Sequence, residues 1–115
     1  MINNVTLVGR LTKDPEIKEL NGGAKVGTFT LAVDRNYKNQ NDERDTDFIN
    51  IVVWRKTAEL CEQYLKKGSL CGIVGSIQTR NYDAQDGTKK YVTEVVADEV
   101  QFFSSSNKGG SSVTE

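Results

Sequence analysis

The sequence predicts an all-β domain, a five-stranded barrel with one short capping helix and long β-hairpins. Successive stretches alternate apolar and polar residues with the period of two that a half-buried strand requires, and only one stretch, 57–68, has helical spacing and end signals. Asn21-Gly22-Gly23 and Asp86-Gly87 sit between such stretches as hairpin turn signals. The order is strand, strand, strand, helix, strand, strand. A single helix between the third and fourth main strands is the order of a Greek-key barrel of the OB-fold type.

Val5 to Leu11 reads as the first strand, with Val5, Leu7, Gly9 and Leu11 on one face and Gly9 marking a bulge or tight bend. Asp14-Pro15 ends it, because the proline ring fixes its own φ and restricts the residue before it. A short segment, Glu16 to Leu20, leads into the first turn. Val26 to Asp34 follows, with Phe29, Leu31 and Val33 inward. The polar, charged run from Arg35 to Asp47 is expected to be a hairpin tip or mobile loop, with Tyr37 its one ring. The strand from Asp47 to Trp54 puts Ile49, Ile51 and Val53 toward the core and Phe48, Asn50, Val52 and Trp54 outward.

The helix is expected to start with Thr57 as N-cap and to stop at Gly68, with Lys66 and Lys67 in its last turn. Ala58, Cys61 and Leu65 form its apolar face. In the strand from Ser69 to Arg80, Ile73, Gly75, Ile77 and Thr79 share one face; Val74, Ser76, Gln78 and Arg80 share the other with Tyr82. Lys89 begins the return strand, and a separate last strand is expected from Glu99 to Phe103. There is no internal repeat. The chain thus divides into one domain over 1–104 and a flexible Ser/Gly-rich tail over 105–115.

Composition narrows the chemistry. With 15 Lys and Arg against 16 Asp and Glu the net charge is -1, so an anionic partner must be met by cations gathered on one surface. The absence of histidine excludes the Ser-His-Asp triad and histidine metal sites. Cys61 and Cys71 match no zinc or redox spacing and read as buried apolar side chains, so no metal or other cofactor is expected. No apolar run approaches the ~18 residues of a membrane span, and no signal peptide opens the chain; a cytoplasmic protein without membrane association is expected. No nucleophile or phosphate-loop constellation points to an enzyme.

The outward rings are Tyr37, Phe48, Trp54 and Tyr82, and the cations near them are Arg35, Lys38, Arg55, Lys56, Arg80, Lys89 and Lys90. Unpaired bases expose π faces that stack on aromatic side chains, at about 1–3 kcal/mol per base, and their phosphates need Lys or Arg. Single-stranded nucleic acid, DNA or RNA, fits this interleaving; a duplex hides its base faces. Blander roles compete at each position. Phe48 and Trp54 suit a subunit contact, Tyr37 a shield over a turn, Tyr82 a cross-strand pair with Tyr91, and Arg55-Lys56 a solvated junction. The coincidence of rings and cations on the outward side of two long strands favours the nucleic-acid reading.

The chain resembles the bacterial single-stranded DNA-binding protein family from Asn4 to about Phe103. The similarity is most specific at Val8-Gly9-Arg10-Leu11 with Asp14-Pro15-Glu16, at Phe29 to Val33, at Asp47 to Trp54, at Tyr64 to Ser69 and at Thr93-Glu94-Val95-Val96. The resemblance implies an OB-fold subunit of a homotetramer with single-stranded DNA around its outside, and stacking roles for Tyr37, Phe48, Trp54 and Tyr82. It implies phosphate contacts for Arg35, Arg55, Lys56 and Arg80, and secondarily for Arg10, Lys13 and Lys89. The acidic tip ending in phenylalanine, which recruits replication and repair proteins in long-tailed members, has no counterpart in Ser-Ser-Val-Thr-Glu, so recruitment by that route is not expected. An OB-fold protein-interaction subunit of primosomal type is the alternative.

Overall fold

Among the described residues alternation is realised as six strands and one helix: β1 Val5–Leu11, β2 Glu16–Glu19, β3 Lys25–Lys38, β4 Arg44–Trp54, α1 Arg55–Tyr64, β5 Leu70–Asp83 and β6 Lys89–Phe102. The computed structural model describes residues 1–38, 40, 41 and 44–103, and of residues 37 and 38 the backbone alone. The expected tail over 105–115 lies outside the described residues. β2 is a short flap on β3. The other five strands run in the order β1-β5-β6-β4-β3, and β3 returns to β1 through Arg10↔Ala32 and Leu11↔Leu31. This is the closed five-stranded OB barrel; its neighbours are antiparallel except β4 and β6, which run parallel at Ile51↔Val95 and Val52↔Val96.

The core lies inside this barrel. Leu31, Ile51 and Val53 are fully buried, Ile73 nearly so, and Val33 and Ile49 pack against them in part. The inward parity expected of β3 and β4 therefore holds. Gly9 sits at the corner where β1 passes from β5 to β3. A Cβ there would run into the Ala32 carbonyl oxygen, so the glycine answers a close backbone approach at the closing seam rather than a bulge.

The bulge lies elsewhere. Val74 pairs with Glu99 but Gly75 pairs with Ala97, leaving Asp98 as the extra residue on β6. It shifts the inward register from Val95 and Ala97 to Val100. That break in alternation is why the sequence suggests two strands where β6 is continuous. Ile77 has the strand parity of the buried Ile73 without its burial. The β1–β5 pairing ends at Val5↔Gly75, and beyond it the β5–β6 hairpin leaves the barrel, so Ile77 is 46% exposed rather than core. The Asn3 side chain holds that exit: its amide nitrogen donates to the Ile77 carbonyl at 2.9 Å, and its oxygen accepts from the Ile77 N–H at 2.9 Å. The charged run 35–47 likewise is mostly strand, because β3 and β4 continue into it as far as Lys38 and Arg44.

The helix starts two residues before the expected cap. β4 runs straight into α1, Trp54 occupies the N-cap position without a side-chain hydrogen bond, and Thr57 is inside the first turn. The helix ends at Tyr64. Leu65 is already extended, its N–H donating to the Cys61 carbonyl at 2.9 Å. Gly68, with φ of 87°, serves the following turn closed by Ser69 N–H on the Lys66 carbonyl, so Lys66 and Lys67 do not answer the helix dipole. The expected apolar face stands: Ala58, Cys61 and Leu65 are buried, and α1 covers one end of the barrel over Gly27. Both cysteines are free and fully buried. Burial pushes the Cys61 thiol up to about 12 and the Cys71 thiol up to about 11, so both stay protonated and unreactive.

Gly75 supplies the test of the bulge. A Cβ there would collide with the Val96 carbonyl oxygen and the Ala97 Cα, neither of which can yield without breaking the β5–β6 ladder. Gly75→Ala is expected to cost about 2–3 kcal/mol in denaturant unfolding; an unchanged midpoint contradicts this placement.

Candidate nucleic-acid interface

The site is built on the outward face of the β3–β4 hairpin. The register Ala32↔Phe48, Thr30↔Asn50, Thr28↔Val52 and Val26↔Trp54 places these eight residues on one side of the sheet. Phe48 is 67% and Trp54 43% exposed, and at the rise of a strand they stand about 20 Å apart. Between them Thr28, Thr30, Asn50 and the buried Val52 line a groove of about 450 Å³. Its floor is uncharged and mixes polar with apolar groups, and the Thr30 hydroxyl donates to Asn50 Oδ1 at 3.2 Å.

Opposite this floor the β5–β6 hairpin contributes Arg80, Val92 and Glu94, the β1–β2 connection contributes Lys13 and Asp14, and the start of β2 contributes Glu16. Cross-strand pairing puts Tyr82 opposite Lys90 and Arg80 opposite Val92, so Tyr82, Lys90, Arg80 and Glu94 share one face of the hairpin. Tyr91 pairs with Asn81 and therefore faces the other way. Tyr82 and Tyr91 are not cross-strand partners, and Tyr82 is left 49% exposed.

The expected cations divide into two groups. Lys13 and Arg80 line the groove itself. Arg10 continues the row Arg10–Ala32–Phe48 across three strands, beside one ring, while its own Nη1 donates to the Gly68 carbonyl at 3.0 Å. Arg55 and Lys56 are exposed directly after Trp54. Arg55 has φ of 55°, the one non-glycine in the left-handed region among the described residues; such conformations cost of order 1 kcal/mol and cluster at functional positions.

Arg35 and Lys89 are not brought to this face. Arg35 shares the side of Val33 and Asp47, and its guanidinium donates twice to the Asp47 carboxylate, at 3.1 and 3.0 Å. That pairing holds the Asp47 carboxyl below its usual range. Lys89 lies opposite Asp83, on the Tyr91 side of the hairpin. At the hairpin turn, Thr88 donates to Asp86 from its hydroxyl at 2.7 Å and its N–H at 3.0 Å, which lowers the Asp86 carboxyl. The Tyr37 and Lys38 side chains lie outside the described residues.

Sequence reasoning missed Thr28, Thr30, Val92 and Glu94 as lining residues. The first two were legible as the outward parity of their strand, whereas bringing the hairpin against them required the three-dimensional closure of the barrel. Among the described residues no group of three or more His, Cys, Asp or Glu side chains is arranged to hold a metal ion.

Comparison with known proteins places this chain in a family. The single-stranded DNA-binding protein of Bacillus cereus is 58% identical over 110 residues, which cover 96% of this chain and 65% of that protein. Single-stranded DNA-binding protein A of Bacillus subtilis is 57% identical over 111 residues, covering 96% of this chain and 64% of that protein. The chain thus spans somewhat under two thirds of the length of these relatives. Among solved structures, a Plasmodium falciparum SSB complex with ssDNA superposes with a TM-score of 0.80 at 34% identity, over 89% of this chain and 95% of that one. The model of the single-strand binding protein family matches residues 2–103, the whole of the barrel and its hairpins, and the chain belongs to that family.

Proposed function

We propose that this chain binds single-stranded DNA without sequence preference, coating and protecting exposed strands during replication, repair, recombination or DNA uptake. The observation that carries this reading is the pair of exposed rings, Phe48 and Trp54, on either side of a groove bordered by Lys13 and Arg80. Large exposed rings on a sheet face that no helix covers call for a flat partner. Bases stack on Phe48, Trp54 and Tyr82, with Tyr37 the fourth platform, while Arg80, Lys13, Arg10, Arg55 and Lys56 meet phosphates. Arg35 and Lys89 stand behind this path and contribute less. The Bacillus relatives are single-stranded DNA-binding proteins and the superposed Plasmodium protein is in complex with ssDNA, which supports the same partner here.

The activity is binding alone, in the cytoplasm and at the nucleoid. The protein-interaction alternative accounts for the rings but not for the cations between them.

We infer that the chain works as a homotetramer, because one subunit offers few cations to a long strand. The free edge of β1 supports self-association. Val5 to Gly9 pair with β5 on one side only, since β3 meets β1 just at Arg10 and Leu11. An unpaired edge of this kind is completed by an antiparallel copy across a two-fold axis. Sedimentation at micromolar concentration is expected to give four times the chain mass; a monomer contradicts the tetramer.

Trp54 is the sole tryptophan, so its fluorescence reports the site directly. Oligo(dT) is expected to quench it strongly, with an affinity that falls as salt rises. Absence of both quenching and a gel shift contradicts the proposal. Phe48→Ala is expected to lose roughly 1–3 kcal/mol of binding while the fold survives, as measured by titration and melting.

A further inference from the structure

Three carboxylates, Asp14, Glu16 and Glu94, line a groove read as taking a polyanion, and Glu94 is the one that Arg80 engages. Its side chain is only 13% exposed, it lines the groove two residues along β6 from Val92, the partner of Arg80, and the Arg80 Nε donates to its Oε1 at 2.9 Å. Arg80 itself is 60% exposed, and its terminal nitrogens donate to no other described residue. A guanidinium has five N–H donors in a fixed planar fork, so a carboxylate bound at Nε fixes the plane without using the Nη1–Nη2 edge. That edge is the one that grips a phosphate through two parallel hydrogen bonds.

We propose that Glu94 is a positioning residue: its carboxylate takes the Nε of Arg80 and presents the terminal nitrogens of that arginine to a phosphate of the bound strand. The inference rests on the single-stranded DNA reading and goes beyond it by assigning a role to an acidic residue. An unanchored arginine at 60% exposure samples many rotamers, and ordering it on binding costs affinity. Glu94 removes that cost in advance. Its own negative charge opposes the phosphate, and the Arg80 charge cancels most of that opposition. Arg35 differs in this respect: Asp47 takes both its Nε and a terminal nitrogen, and the pair lies on the side of the strands away from the groove.

A double-mutant cycle tests this, with binding to fluorescently labelled oligo(dT) measured by anisotropy at one fixed salt concentration. Arg80→Ala and Glu94→Ala are each expected to weaken binding by about tenfold, and the double variant no more than Arg80→Ala alone. Glu94→Gln keeps an acceptor at the same place and is expected to bind at least as tightly as wild type. Glu94→Met, which keeps the stem without the acceptor, replaces the alanine variant if that variant fails to fold. Two results overturn the proposal: Glu94→Ala binding as tightly as wild type or tighter, or the double variant losing the product of the two single effects. Failure of the wild type itself to bind the oligonucleotide refutes the functional reading, and is thereby distinct from a failed cycle in a protein that binds.

Discussion

The structure depends on the register between β3 and β4. Pairing Leu31 with Ile49 and Phe29 with Ile51 buries one face of both strands, and the period of two then forces Phe48, Asn50, Val52 and Trp54 to the other. A slip of one residue would bury Asn50 and expose Ile51. The price of that slip is a lost core, so the hydrophobic interior fixes where the rings stand. Stability and the candidate interface are therefore two faces of one strand pair, and the groove inherits its rigidity from the core beneath it.

Around this pair the rest of the chain supplies walls. The seam at Gly9 closes the barrel and brings Arg10 into the row of Phe48. β6 pairs with β5 along the protruding hairpin and meets β4 at Val95 and Val96, and the bulge at Asp98 then lets it continue along β5 to Cys71 with Val100 turned inward. That hairpin carries Arg80 and Tyr82 over the groove. Charge is only partly sorted on this chain of net charge -1: Lys13 and Arg80 line the groove together with Asp14, Glu16 and Glu94, Arg10, Arg55 and Lys56 lie near the rings, and Arg35 is held by Asp45 and Asp47 on the reverse face.

The sequence made the inward parity of β3 and β4 legible, since Phe29, Leu31, Ile49, Ile51 and Val53 repeat without a break. It made the two hairpin turns and the apolar face of α1 legible for the same local reason. The helix ends were not. The start of α1 follows from β4 running directly into it, and Gly68 belongs to a turn packed against Leu11, a partner far away in the chain. The continuity of β6 was hidden by its extra residue, which shifts the parity that sequence reading relies on. At the site, Phe48, Trp54, Tyr82 and Arg80 could be picked by parity alone. The face that Arg35 takes was not legible, because nearness to Tyr37 in sequence says nothing about it and Asp47 across the strand pair shares it.

If the rings make this a surface for unpaired bases, then bases and not only phosphates must carry the affinity. Binding of an oligo(dT) and of an abasic strand of equal length, compared across a salt series, separates the two contributions. The abasic strand is expected to bind at least a hundredfold more weakly, as the loss of several stacks of about 1–3 kcal/mol each requires, with a similar slope against salt. Equal affinity for the two strands would contradict a base-stacking surface.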